Sequence, residues 1–201
     1  MSGLEFKVLG KATCARRGQL KTRHGVVETP VFMPVGTQGA IKGVTFEEMN
    51  KMGCQILLCN TYHLGLRPDT KVIDSLGGIH DFKGWGNNVL TDSGGFQMVS
   101  LLELAEINEE GVKFQSPMDG TEMMLTPEKS MELQHEIGSD IMMALDDVVP
   151  AMCTDEKRFE EACYRTIRWI DRCIKAHEVK DLKNNVSFSQ KQICLESSRV
   201  G

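Results

Sequence analysis

Apolar runs and helical stripes alternate along this chain. The first continuous apolar run, VFMPV at residues 31–35, reads as a buried strand. A helix is predicted from about Phe46 to Met52, with Thr45 as its N-cap. QILLC at residues 55–59 reads as a second strand, followed by NTYHLGLRP and a helix around residues 69–76 that Gly77 and Gly78 close. VLT at residues 89–91 is a third, short strand running into Asp92, Ser93, Gly94 and Gly95, and IMMAL at residues 141–145 is a fourth. A long helix then runs from a Thr154 cap to about His177. Its apolar stripe reads Phe159, Cys163, Ile167, Ile170 and Ile174 at three- and four-residue spacing.

Residues 112–125 break that rhythm. Asp119 and Gly120 stand between two extended segments, the signal for a β-hairpin. Thr126, Pro127 and Glu128 then open a helix, with a hydroxyl cap, a proline in the first turn and an acid at the positive end. Strands alternating with helices imply βα units and a parallel sheet. No strand is followed by a G-x-G-x-x-G or Walker loop, which argues against a nucleotide-binding Rossmann or P-loop unit. The expected fold class is α/β, a TIM (β/α)8 barrel of which about the first half is present. It carries an N-terminal antiparallel hairpin and the inserted hairpin, since four core strands fall short of a barrel that needs about 250 residues. Residues 1–182 are expected to form the barrel part. Residues 183–201 are polar and read as an irregular tail, in which SFSQKQICL is a poor candidate for a fifth strand.

Composition adds little beyond class. At 201 residues, 41% hydrophobic and 25% charged, the chain is an ordinary globular one. No apolar run approaches the roughly 20 residues that span a bilayer, and MSGLEFKVLG has no secretory-signal pattern. The seven cysteines are odd in number and contain no C-x-x-C pair, which favours reduced thiols over disulfides or a zinc site built from this chain alone. A net charge of −5 does not point to nucleic acid. One basic stretch, Lys11, Arg16, Arg17, Lys21, Arg23 and His24, could face phosphates, although a solvated hairpin explains it as well.

In a barrel, chemistry collects at the C-terminal ends of the strands. Polar residues stand at those ends here: Thr37 and Gln38, Asn60, Asp92 with Ser93, and Asp146 with Asp147. One such residue is more often a turn or a cap; four consecutive units delivering polar groups to one rim point to a site. Asp92 precedes a Gly-Gly turn that lets a ligand approach the backbone. Asp146 emerges from an apolar wall, suited to receiving two N–H groups from a purine edge. Asp147 reads more simply as a loop or helix-start residue. Phe96, four residues after Asp92, either stacks on a flat base or packs beneath the loop.

The stretches VFMPVGTQGAIKG, LLCNTYHLGLRP, LTDSGGFQMVSL, FQSPMDGTEMMLTPEKSMELQHEIGSDIMMALDDV and EACYRTIRWIDRCIKAH resemble the tRNA-guanine transglycosylases, over about residues 4–182. The resemblance implies a TIM barrel with a zinc-bearing insertion near its C-terminus. It also implies exchange of a guanine in a tRNA anticodon by double displacement through a covalent RNA–enzyme intermediate, parallel to retaining glycosidases. By motif, Asp92 resembles the aspartate of base binding and proton transfer, Phe96 the stacking aromatic, and Asp146 the aspartate reading the guanine edge. Asn60 and Gln97 resemble residues near the ribose, and Ser93 lies beside the pocket. Phe96 and Val148 are similar to the eukaryotic type, which implies queuine as the incoming base, tRNA with guanine at the wobble position, and a non-catalytic partner subunit in a heterodimer. A cytoplasmic location, extending to the mitochondrial outer surface, is implied as well.

The tail departs from the family pattern. In the family an Ile-Val-Gln-Gly-Gly-like strand, the nucleophilic aspartate, and the three cysteines and one histidine that bind zinc follow the long helix. Residues 183–201 match none of these, so no cofactor is expected on this chain and no exchange by it alone. Two other readings stay open on residues alone: a non-catalytic fragment that binds a partner subunit, and a carbohydrate-active barrel using Asp92 and Asp146 as its acid pair.

Overall fold

A computed structural model describes residues 5–97, 105–116, 120–150, 153–183 and 193–195. Three strands, β1 (Glu5–Lys11), β2 (Arg16–Thr22) and β3 (Gly25–Thr29), make an antiparallel sheet rather than a simple hairpin. The tight link between β2 and β3 needs Gly25 at φ 116°. The central sheet is wholly parallel, ordered β10-β9-β5-β4, from β4 (Ile56–Cys59), β5 (Asn88–Thr91), β9 (Ile141–Met143) and β10 (Ile193–Leu195). Between β5 and β9 lies a second antiparallel sheet of β6 (Glu106–Ile107), β7 (Val112–Gln115) and β8 (Glu122–Leu125). Asp119 of the expected turn lies outside the described residues; Gly120 takes φ 74° there.

Helices stand before and between the parallel strands in the chain: α1 (Phe46–Lys51), α2 (Thr61–Leu66), α3 (Thr70–Ser75), α4 (Ile79–Lys83), α5 (Pro127–Ile137) and α6 (Glu156–Lys183). Thr45 caps α1 in a full capping box with Glu48. Thr126 caps α5 through Lys129 N–H, and left-handed Gly138 ends it. Strand residues alternate as the pleat requires: Leu57, Cys59, Val89 and Met142 are buried, whereas Leu58, Leu90 and Met143 on the other face are half-buried. Val27 of β3 packs on Ile56 and Ile141, the first residues of β4 and β9, so the N-terminal sheet covers the end of the parallel sheet opposite the rim. Among the described residues no helix is long and apolar enough to cross a membrane.

Four further expectations change. Residues 31–35 are not a strand: Val31, Phe32 and Val35 are exposed, and only one parallel bridge, Val35 to Leu58, forms. Pro30 and Pro34 lack the N–H a ladder needs. What remains is a short docking on the β4 edge, where Leu58 N–H donates to Pro34 O at 2.9 Å and Gly36 N–H to Leu58 O at 2.7 Å. Asp155, not Thr154, caps α6, its carboxylate accepting from Arg158 N–H at 3.1 Å. The buried face of α6 is Ala162, Trp169 and Cys173, one residue round from the expected stripe; Phe159, Ile167 and Ile174 face outward. Trp169 takes the core position because its indole N–H reaches Glu109 O at 3.0 Å while its ring fills space beside β7 and β8. Finally, a strand forms where none was expected: Ile193, Cys194 and Leu195 pair in register with Ile141, Met142 and Met143.

Candidate active site

β5 ends at Thr91, and the chain leaves the sheet through Asp92, Ser93, Gly94 and Gly95. Gly94 takes φ 83°, where L side chains are strained. Gly95 lies against the loop after β9, so closely that a Cβ there would meet Leu145 Cδ1 at 2.8 Å. The two glycines let these loops touch. Ser93 Oγ then reaches Asp146 Oδ1 at 3.4 Å, a long and weak hydrogen bond.

Asp92 is the focus of four N–H donors. Thr61 N–H donates to Oδ1 at 2.9 Å and Gln97 Nε2 to Oδ2 at 2.7 Å. Asn60 Nδ2 also donates to Oδ2, and the Gly94 N–H joins them. The Thr61 hydroxyl donates to the Asp92 carbonyl at 2.6 Å. Burial pushes the Asp92 pKa above the ordinary carboxylate range, although all four donors favour the charged form. Among the described residues none donates a hydrogen bond to the buried Gln97 Oε1. Phe96, one residue before Gln97, is 47% exposed. It is therefore not the fully packed core residue that one reading of the sequence allowed, and its exposure suits it to stacking.

Asp147 is set apart from this group. Its side chain is fully buried and held by two guanidiniums: Arg158 in bidentate fashion at 2.9 and 2.5 Å, and Arg165 at 2.5 Å. Its backbone N–H donates to Thr166 Oγ1 at 3.0 Å. It fastens α6 to the end of β9. The basic stretch at the N-terminus is largely engaged as well. Arg17 pairs with Glu28 and Lys21 with Glu5, while Arg23 and His24 turn inward to Asp140.

The sequence set Thr37, Gln38, Asn60, Asp92, Ser93, Asp146 and Asp147 at one rim, and the resemblance added Gln97. In the structure Asn60 and Gln97 bond to Asp92, Ser93 bonds to Asp146, and Thr37 O accepts from Asn60 N–H at 3.4 Å, while Asp147 turns to α6. Sequence reasoning missed Thr61, whose backbone and hydroxyl both hold Asp92. The only sequence signal was its position as first residue of α2, where N–H groups have no helical partner. It also missed a cluster at the other end of the sheet. Fully buried Asp140 accepts from His24 Nδ1 at 2.6 Å, His80 Nε2 at 3.0 Å, Val89 N–H at 2.8 Å and Arg23 Nε at 3.3 Å. Burial pushes this carboxyl up, but the two histidines and the Val89 N–H overcome it and hold the group well below the usual range.

His24, His80 and Asp140 are the one described group with metal-ligand composition. They do not fit a zinc centre. The imidazoles stack at 3.7 Å with planes only 17° apart, so their in-plane lone pairs cannot meet at one ion about 2 Å from each. Each already faces a different oxygen of Asp140, and Arg23 adds a fixed positive charge. Among the described residues no cysteine joins a group of metal-ligand composition. Burial pushes the Cys173 thiol up to about 12, and raises Cys59, which lies 3.0 Å from Lys83 Nζ.

The chain matches known proteins over most of its length. The family profile described as queuine tRNA-ribosyltransferase matches residues 11–193. The chain is 58% identical over 183 residues to the queuine tRNA-ribosyltransferase catalytic subunit of Schizosaccharomyces pombe, covering 90% of this chain and 45% of that one. It is 52% identical over 178 residues to the protein of the same name in Caenorhabditis elegans, covering 89% and 44%. A queuine tRNA-ribosyltransferase of Acinetobacter baumannii is 49% identical over 181 residues, covering 90% and 48%. The chain spans about half the length of the curated relatives it matches.

Proposed function

The chain belongs to the queuine tRNA-ribosyltransferase family, and on that premise we propose that its rim is the base-binding part of a guanine-exchanging site. The observation that carries this reading is the meeting of two strand-end loops. Asp92 from β5 and Asp146 from β9 are linked through Ser93, beside a half-exposed aromatic. Asp146 accepts the N–H groups of a guanine-like edge. Phe96 stacks on the base, a contact worth about 1–3 kcal/mol. Asp92, its pKa raised by burial, gives a proton to the departing base and takes one from the base that replaces it. Asn60, Thr61 and Gln97 fix its orientation.

The whole reaction in this reading is displacement of guanine from a tRNA wobble nucleoside by queuine, through a covalent intermediate on a further carboxylate. The parallel strands, with the segment at residues 34–36 docked on β4, are then consecutive staves of a (β/α)8 barrel. Zinc, a non-catalytic partner subunit and a cytoplasmic location accompany this proposal as expectations from the family resemblance.

Calorimetric titration of the chain with guanine and with adenine tests the reading. Guanine should bind measurably better, and Asp146→Ala should abolish the preference. Equal binding of the two purines, or an unchanged preference in Asp146→Ala, would overturn it.

A further inference from the structure

Two strand-end loops form the proposed site, yet the sheet itself joins them only briefly. β5 and β9 pair over two positions, Leu90 with Ile141 and Thr91 with Met142. Beyond them the ladder stops, before either Asp92 or Asp146. Between the loops themselves, Gly95 lies against Leu145 and Ser93 makes a long bond to Asp146. A second structure takes over where the ladder ends, and it comes from α5.

Gln134 is fully buried on α5. Its Oε1 accepts from Thr91 Oγ1 at 2.9 Å and from Met143 N–H at 3.1 Å. Its Nε2 donates to Met143 O at 2.9 Å and to Ser130 Oγ at 3.2 Å. Ser130, one turn earlier and also fully buried, donates its hydroxyl proton to Ser93 O at 2.7 Å. The amide thus meets both the N–H and the C=O of Met143, as a neighbouring strand would. Both amide hydrogens and the carbonyl are used, so the amide has one orientation; flipped, it would set its NH2 against the Met143 N–H. The chain of bonds runs from the last residue of β9 through Gln134 and Ser130 to the residue that follows Asp92.

We propose that Gln134 and Ser130 are positioning residues that set the separation and tilt of the Asp92 and Asp146 loops, and so the fit of the base between them. Neither touches the base; they act through Ser93, Thr91 and Met143. The proposal rests on the base-binding reading above. α5 thereby becomes part of the site's frame: a shift of the helix would move both carboxylate loops together.

The experiment compares wild type, Ser130→Ala and Gln134→Met as the 201-residue chain, by hydrogen exchange and by guanine titration. Ser130→Ala cuts the link to Ser93 and removes one acceptor of the Gln134 amide, leaving the Gln134 bonds to Thr91 and Met143 in place. It should speed exchange in the peptide spanning residues 92–97 by about tenfold, consistent with losing one net hydrogen bond, while β5, β9 and the melting temperature change little. Guanine affinity should fall by a similar factor. Gln134→Met should loosen the loops after both strands. Unchanged exchange at residues 92–97 in Ser130→Ala, or faster exchange spread evenly over the chain with a matching loss of melting temperature, would overturn the positioning role. Guanine binding by wild type that Ser130→Ala leaves intact would overturn it as well. If wild type binds no guanine, the base-binding reading fails, and the exchange pattern still decides whether the bridge holds the loops.

Discussion

At the scale of single residues, Asp92 carries the most constraint. Four N–H donors point at its two oxygens, an arrangement that suits a carboxylate and leaves no place for an amide. Asp92→Asn would set an NH2 group against those donors and remove the exchangeable proton. Guanine exchange by a complete enzyme with this half should fall by about 10²–10⁴-fold, read by incorporation of labelled guanine into tRNA. Asp146→Ala should instead act on affinity, costing about 1–3 kcal/mol for each purine donor left unpaired. The two carboxylates were legible in the sequence because each ends an apolar run. Their holders were not: Thr61 acts mainly through its backbone N–H, and Gln134 lies on a helix face more than forty residues after Asp92 in the chain. Periodicity marks a buried polar residue only as an interruption and does not say what it meets.

Elements follow the sequence best where local chemistry decides. The Thr45 and Thr126 caps and the Gly138 stop fall where side-chain type and backbone freedom put them. Where tertiary packing decides, periodicity misleads. On α6 the expected stripe is as apolar as the true one, and Trp169 with Cys173 decides which side turns inward. At residues 31–35 an apolar run looks like a strand, but its prolines deny it a ladder. The α6 start offers a direct test. Asp155→Ala should cost about 1 kcal/mol in urea unfolding, whereas Thr154→Ala, at an exposed position without the capping bond, should stay within about 0.5 kcal/mol. Arg165→Met should cost more than Thr154→Ala but less than the about 3–5 kcal/mol of a fully broken buried pair, since Asp147 keeps the bidentate Arg158.

For the molecule as a whole, the joint that matters is at Asp140. It binds the N-terminal sheet through Arg23 and His24, α4 through His80 and β5 through Val89. Arg23 adds bonds to Gly138 O at 2.8 Å and Ser139 O at 2.9 Å. Because the folded carboxyl titrates below its ordinary value, it contributes stability above the unfolded pKa of about 3.9 and loses it as pH falls toward the folded value. Thermal unfolding followed from pH 5 down to pH 2 should therefore show a falling midpoint in wild type. Asp140→Asn should start lower and show a smaller fall over the same range.

The same joint orders events in time. β1, β2 and β3 are neighbours in sequence and can pair as soon as they emerge from a ribosome. His24, however, meets Asp140 across 116 residues of chain, and Arg23 meets it across 117. At synthesis rates of about 5–20 residues per second, the N-terminal sheet waits several seconds or more with Arg23 and the underside around Val27 uncovered. The three strands can thus pair well before Asp140 exists, and the sheet docks through Arg23 and His24 only after residue 140 has been made.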